Sequence, residues 1–286
     1  MPGHEYCGEV VEAGPLSHWK AGDRVIAPFI LACGSCPDCR SGQSTTCQAQ
    51  YVPGFGSPCA YAEYVPAPHA HNLARLPDSL PPHLAAGPGY RATTAFQALT
   101  GRAALQAGEW RAIRGTGGIG LSCLLIGRAL GARVIVTDIV PEKLDHALAL
   151  GAEVAFNATS GTAAEDIIAL TGGGAHVSVE ALGIEATTNS SLRSLRPLGR
   201  HLQIGLPTGR HAQMQVDMNT IYMRQLAVCG SRGMPSWRYP SLIETGRLDV
   251  TPIVAHQVAL SDASAELAAF DRPTMPGVAV ITDFAQ

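Results

Sequence analysis

Four cysteines fall within fifteen residues, at Cys33, Cys36, Cys39 and Cys47, a C-x2-C-x2-C-x7-C spacing. Four thiolates so placed can close a tetrahedral shell around zinc at about 2.3 Å per bond. Gly34 and Ser35 are small and Pro37 favours a turn, so the backbone can bend around the ion. Such a shell leaves no position open for water or substrate, which makes the site structural. Cys7, Cys59, Cys123 and Cys229 are scattered. A tight cluster with scattered companions reads as metal binding in a reducing compartment rather than as a disulfide framework.

A second constellation is Gly115-x-Gly117-Gly118-x-Gly120. Glycines at this spacing suit a phosphate cradle: the first permits a tight turn, the second lets backbone approach a pyrophosphate, and the last allows close helix–strand packing. The N–H groups opening the following helix would then face the phosphates. Asp138 stands eighteen residues after Gly120. A carboxylate there can accept hydrogen bonds from both ribose hydroxyls and repels a 2′-phosphate, which favours NAD over NADP. A solvated strand-end acid or a helix cap is the plainer reading of Asp138. The third constellation is Gly3-His4-Glu5. Histidine is a common zinc ligand, and an adjacent glutamate can orient a ligand or balance its charge.

The elements needed to position these groups are visible in the patterning. Residues 1 to about 90 are rich in Gly, Pro and Cys with short β-like runs, such as Gly8-Glu-Val-Val-Glu and Asp23-Arg-Val-Ile-Ala, and read as a loop-rich β lobe. After about Ala92 the character changes. Strands are expected at Trp110-Arg-Ala-Ile-Arg114, Arg133-Val-Ile-Val-Thr-Asp138, Glu153-Val-Ala-Phe156, 176–182 and 200–206, with a sixth at 225–230. Helices are expected after Gly120 as far as Leu130, from Pro141, and near 162–170 and 185–196. Strands alternating with helices imply a parallel sheet covered on both faces. The tail suggests helices around 240–246 and 261–270 and a final strand at 277–282 that folds back onto the first lobe. The domain boundaries expected are 1–91, 92–233 and 234–286.

Of 286 residues, 46% are hydrophobic and 15% charged, enough apolar material for a packed interior. The net charge of −3 and the lack of a basic run argue against a nucleic-acid partner. No apolar stretch approaches the roughly 20 residues needed to cross a bilayer. The start, Met-Pro-Gly-His-Glu, lacks the features of a secretion signal, so a cytoplasmic location is expected.

Taken together, Gly3-His4-Glu5, the four clustered cysteines, Ala62-Glu-Tyr-Val65, the glycine turn, Asp138, Ser191-Leu-Arg-Ser-Leu-Arg-Pro-Leu-Gly199 and Gly205-Leu-Pro resemble the zinc-containing alcohol dehydrogenases of the medium-chain dehydrogenase/reductase family. The resemblance runs over essentially the whole chain. It implies an α/β fold: a doubly wound Rossmann sheet plus a GroES-like β-rich lobe, with reversible hydride transfer between an alcohol and NAD(P). By resemblance, His4 is a catalytic-zinc ligand and Glu5 its neighbour; Asp138 and Lys143 hold the adenosine ribose; Ile119, Ala181, Ile204 and Gly205 line the nicotinamide pocket. Small alcohols, aldehydes or ketones are the implied substrates, and a homodimer or homotetramer the implied assembly.

Two departures from the family carry expectations of their own. Members have a further N-terminal segment bearing a cysteine zinc ligand. Here Met1 stands two residues before Gly3, so a start downstream of the true one and an incomplete β lobe are expected. The family's third protein ligand is a cysteine or an acid just before the Rossmann domain, and that position is Tyr90, a neutral phenol and a poor ligand. Catalytic zinc normally has three protein ligands. With His4, and Glu5, Cys7 or Cys59 as substitutes, a defective catalytic zinc site is expected. Three classes stay open: an alcohol dehydrogenase, a non-catalytic NAD-binding protein on the same scaffold, and a zinc-independent quinone or enoyl reductase.

Overall fold

The computed structural model describes residues 3–233, 242–243, 245–269 and 277–284. The chain divides into two compact units, Met1–Thr93 with Gly233–Gln286, and Thr94–Arg232.

The first unit carries a three-stranded antiparallel sheet of β1 (Tyr6–Glu9), β2 (Arg24–Ala27) and β3 (Ala74–Arg75), with β2 in the middle. Tyr6 pairs with Ala27 and Glu9 with Arg24. Val25, Ile26 and Ala27 are buried, so β2 forms the spine of the lobe. Residues 33–47 leave this lobe as a loop containing one short α-helix, α1 (Pro37–Arg40), whose proline sits at the tolerated first turn, and a 3-10 turn over Ser44–Thr46. The base of the loop is closed by Leu31 and Tyr51, which exchange two backbone hydrogen bonds of 2.9 Å each. Helix α2 (Pro82–Ala86) precedes α3 (Arg91–Phe96), which continues as a π-helical turn over Gln97–Arg102.

The second unit is a six-stranded sheet of β4 (Trp110–Arg114), β5 (Arg133–Asp138), β6 (Val154–Asn157), β7 (Ala175–Glu180), β8 (Leu195–Gln203) and β9 (Ala227–Gly230). All neighbours pair in parallel, in the order β6-β5-β4-β7-β8-β9. Counted in chain order this is 3-2-1-4-5-6, the doubly wound arrangement whose strand order reverses between its first and fourth strands, here β4 and β7. Five helices connect or flank the strands: α4 (Gly118–Ala129), α5 (Pro141–Ala149), α6 (Ala163–Thr171), α7 (Glu185–Arg193) and α8 (Met218–Arg224). Ala112, Ile113, Ile135, Val136, Val177 and Val179 are fully buried, as central parallel strands covered on both faces should be.

The tail adds a parallel pair, β10 (Val254–Ala259) and β11 (Val278–Asp283), and helix α9 (Ala263–Ala269). It returns to the first unit, where Gly87 lies so close to Val254 and Val278 that a Cβ would approach their methyls at 2.8 and 3.2 Å.

Several elements differ from the sequence expectation. The helix expected over 185–196 stops at Arg193, and β8 begins at Leu195 rather than at 200. Pro197 cannot continue a helix and pushes its predecessor into extended backbone. Leu198 at φ +61° and a register shift between Ala175 and Val177 mark the irregular entry to β8. The expected strands at 176–182 and 200–206 end earlier, at Glu180 and Gln203, which places 181–183 and 204–206 in loops. The sequence expectation includes neither β10 nor α8. The helix expected at 240–246 lies partly outside the described residues.

Candidate metal and dinucleotide sites

The sulfur atoms of Cys33, Cys36, Cys39 and Cys47 all lie within 4.8 Å of one another. Cys33 and Cys39 are 4.0 Å apart and Cys36 and Cys47 3.9 Å. A tetrahedral zinc–thiolate shell sets neighbouring sulfurs ~3.8 Å apart, so the donor set and its geometry both fit zinc. Three of these thiols differ in how readily they ionise. The backbone N–H and hydroxyl of Ser35, with the N–H of Cys36, hold the Cys33 thiol down at about 5. Cys36 is lowered chiefly by the N–H of Cys39, while burial pushes Cys39 up to about 12. Gly34 takes φ +76°, and a side chain there would run into His71 Nε2 at 2.8 Å. Asn72, which the sequence reading missed, anchors the start of the loop. Its Nδ2 donates to Ala32 O at 2.8 Å and its Oδ1 accepts from Ala32 N at 3.2 Å. Nothing in the local sequence marks Asn72, because its partner lies forty residues away.

His4 and Glu5 part company in their surroundings. The His4 ring packs against Phe29, Tyr90 and Phe55, at centroid distances of 4.8, 5.0 and 5.9 Å. Phe29 also packs on Tyr90 at 4.6 Å. Burial first, and the Arg91 charge after it, hold the imidazole below its ordinary range against the pull of Glu5. The Glu5 carboxylate accepts from the backbone N–H groups of Tyr90 at 2.8 Å and Arg91 at 3.2 Å, and its other oxygen pairs with the Arg91 guanidinium. Glu5 therefore caps the start of α3, a role that no spacing rule could have shown. Cys7 donates its thiol to Pro82 O at 3.0 Å, and burial pushes it up to about 11. Cys59 is buried. Among the described residues, the four clustered cysteines are the one group of three or more His, Cys, Asp or Glu ligands drawn together.

The glycine turn joins β4 to α4. Gly115 takes φ +87°, and the side chain of Leu182 fills the space its Cβ would need. Gly120 has backbone where its Cβ would stand, with Gly115 O at 1.9 Å. A Cβ at Gly117 would meet nothing within 4 Å, and Gly117 is the N-cap of α4 without a side-chain cap. Gly117 is exposed, and the first N–H groups of that twelve-residue helix have no partner within it, which is the donor set an anionic diphosphate requires. Asp138, the last residue of β5, turns its carboxylate back to this loop. Its Oδ2 accepts from Thr116 N and Oγ1, both at 2.8 Å, and its Oδ1 from the N–H groups of Ile139 and Val140. Ile119 lies on the first turn of α4 and Lys143 on the first turn of α5. Ala181, Ile204 and Gly205 come together where the loops after β7 and β8 touch: a Cβ on Gly205 would lie 2.2 Å from Gly183 N and 2.7 Å from Ala181 C.

Beneath those loops is a polar cluster that the sequence reading also missed. Glu180 is fully buried yet accepts four hydrogen bonds, from Leu182 N, Gly183 N, Thr187 Oγ1 and Gln203 Nε2. His201, also fully buried, donates Nε2–H to Gln203 Oε1, leaving Nδ1 to accept from the hydroxyls of Ser178 and Ser191. Burial is the main cause holding His201 below the ordinary imidazole range. Two buried arginines on β4 complete the picture. Arg114 bonds Ser190, and burial, then Arg193, bring it down to about 10. Arg111 reaches only Leu124 O, at 3.4 Å, and its Nε and Nη1 find no partner among the described residues. Charged residues at the ends of otherwise apolar strands were the available signal.

A family model for zinc-binding dehydrogenases matches residues 118–246, and one for the alcohol dehydrogenase GroES-like domain matches residues 1–78. The L-threonine 3-dehydrogenase of Edwardsiella ictaluri is 32% identical over 272 residues, spanning 91% of this chain and 76% of that protein. The chain belongs to the zinc-binding alcohol dehydrogenase family. An alcohol dehydrogenase of Geobacillus stearothermophilus is 37% identical over 209 residues, and that match spans 72% of this family member but only 61% of the relative's length. The crystal structure of an NAD-dependent alcohol dehydrogenase superposes with a TM-score of 0.88 at 27% identity, over 99% of this chain and 82% of the other. The Rossmann sheet and GroES-like lobe are therefore the family's own fold, and family membership brings with it oxidoreductase chemistry, zinc and a nicotinamide cofactor.

Proposed function

We propose that this chain binds NAD at the β4–α4 turn and acts, within the family's chemistry, in the interconversion of a small alcohol with its aldehyde or ketone. The observation that carries the reading is the open ground before Gly117, backed by helix N–H groups and flanked by the Asp138 carboxylate. Gly115, Gly117, Gly118 and Gly120 shape the cradle; Asp138 and Lys143 take the adenosine ribose; Ile119, Ala181, Ile204 and Gly205 form the wall for nicotinamide. A carboxylate at position 138 disfavours a 2′-phosphate, so NAD is preferred to NADP. When bound, the dinucleotide supplies the acceptor and donor of hydride.

The four-cysteine loop holds zinc for architecture. A catalytic metal is a different matter. The ligands that this chain supplies around His4 do not suit one: Glu5 is committed to Arg91 and the start of α3, Cys7 is held as a thiol, and Phe29, Tyr90 and Phe55 pack on the imidazole. A metal at His4 therefore has no part in the chemistry proposed for this chain. This aromatic packing favours a second reading, an NAD-binding member of the family that turns over no alcohol.

No helix among the described residues is long and apolar enough to cross a membrane. We take the protein to work in the cytoplasm. A homodimer or homotetramer is consistent with the exposed apolar side chains of Val228 on the edge strand β9 and of Tyr222 and Met223 on α8. The test combines zinc per chain by elemental analysis, NADH titration by fluorescence, and turnover of primary and secondary alcohols. About one zinc, saturable NADH binding and alcohol-dependent reduction of NAD support the first reading. Binding without turnover supports the second, and failure to bind NADH overturns both.

A further inference from the structure

The Glu180 cluster sits under the two loops that the proposed function assigns to the nicotinamide, and the inference rests on that assignment. Gln203 Nε2 donates both to Glu180 Oε2 at 2.6 Å and to Gly205 O at 2.9 Å. The same carboxylate accepts from Leu182 N at 3.0 Å and Gly183 N at 2.8 Å. One buried amide and one buried carboxylate thus tie the loop after β7 to the loop after β8. Backbone bonds from Ile204 N and Gly205 N to Glu180 O run alongside. The remaining valences are filled from behind. Thr187 and Thr188 on α7 donate to Glu180 Oε1 and Gln203 Oε1, and His201 Nε2–H donates to that same Gln203 oxygen.

A buried carboxylate with four donors is costly to build unless each bond is made, and fully satisfied networks of this kind fix one geometry. The packing leaves no slack. Side chains at Gly183 or Gly205 would strike the facing backbone, Leu206 O at 2.3 Å and Gly183 N at 2.2 Å. Asp138 and the turn before Gly117 take no part in these bonds; they belong to β5 and to the other side of the cradle. The side chain of Leu182 packs at Gly115, but none of the side-chain hydrogen bonds named above reaches Asp138.

We propose that Gln203, through Glu180, is a positioning residue for the nicotinamide half of the cofactor and has no part in holding the adenosine half. Gln203→Met keeps the length of the side chain and removes both donors; Glu180→Gln keeps its shape and removes the charge. Each variant and the unaltered chain would be titrated with NADH and, separately, with ADP-ribose, which lacks the nicotinamide. Loss of one or two such bonds should weaken NADH about fivefold to tenfold, with ADP-ribose affinity unchanged and the emission of bound NADH shifted toward that of free NADH. Retained ADP-ribose binding also reports that the sheet is folded. Equal weakening of both ligands in both variants, or no change in either, overturns the proposal. An unaltered chain that binds ADP-ribose and NADH with variants that do not discriminate leaves the dinucleotide reading standing and removes this one; an unaltered chain that binds neither removes both.

Discussion

Glu5 and Arg91 face each other with side chains only 13% and 18% exposed. A charge so placed is tolerable because its partner is there, and removing one member leaves the other buried and unpaired. Glu5→Ala should therefore destabilise the first unit by about 2–4 kcal/mol, and Glu5→Gln by less, because an amide can still accept from Tyr90 N. Urea unfolding followed by tryptophan fluorescence measures this; equal stability of all three proteins would show that the pair holds nothing. Arg111 poses the opposite case. Its guanidinium occupies the space that a Cβ at Gly127 would fill, with Nη1 at 1.7 Å, and it has no counter-ion among the described residues. Arg111→Met should raise stability by about 1–2 kcal/mol, since a buried unpaired charge is replaced by apolar volume. Gly127→Ala should cost more than about 2 kcal/mol in the natural chain and much less when combined with Arg111→Met, a coupling that a double-mutant cycle reads directly.

The strand–turn–helix element separates folding from binding more cleanly than single residues do. Gly120→Ala places a methyl 1.9 Å from a backbone oxygen, which cannot swing away, so a loss of about 3 kcal/mol or more is expected. Gly117→Ala places a methyl in open ground. Thermal stability should be unchanged within about 0.5 kcal/mol while NADH affinity falls by about tenfold or more, because the methyl stands where phosphate must approach. Equal NADH affinity in Gly117→Ala would remove the pyrophosphate from this turn.

At the same scale, what could be read in advance has a physical pattern. Strands β4, β5 and β9 and helices α4 to α6 were legible because their apolar periodicity and their Gly and Pro punctuation are local. The cysteine cluster was legible because its spacing is itself the geometry. Glu180, Gln203 and Asn72 were not, since each has a partner 23 to 40 positions distant that local spacing does not mark. Nor were β10 and α8, whose short, weakly patterned segments are fixed by packing. Glu5 was read by its neighbour His4, whereas its bonds run to residues 85 and 86 positions away.

The whole molecule carries several imidazoles that folding keeps neutral. His201 and His4 are both held below the ordinary range, with burial the largest cause. At pH ~8 each is neutral whether the chain is folded or not, and contributes no slope. As pH falls below about 6.5, the unfolded chain takes up protons that the folded chain refuses, so stability declines until the lower folded value is reached. The slope approaches about 1.4 kcal/mol per pH unit for each such histidine. Unfolding free energies between about pH 7.5 and about pH 5 should show this decline, and His201→Gln should make it shallower. A pH-independent stability across that window would mean that His201 is not buried as a neutral ring.

The pair of backbone bonds between Leu31 and Tyr51, reinforced at Ala32 by Asn72, stands outside the cysteine cage. The cage thus hangs from a latch that does not depend on it. Stripping the metal with a chelator should release only the stretch between, so that amides of 34–46 exchange with deuterium within minutes. Those of Leu31 and Tyr51, bonded to each other and buried or half-buried, should stay protected. That pattern of exchange would mean that the loop can shed and regain its ion while the rest of the lobe stays folded, an architectural metal made a replaceable part.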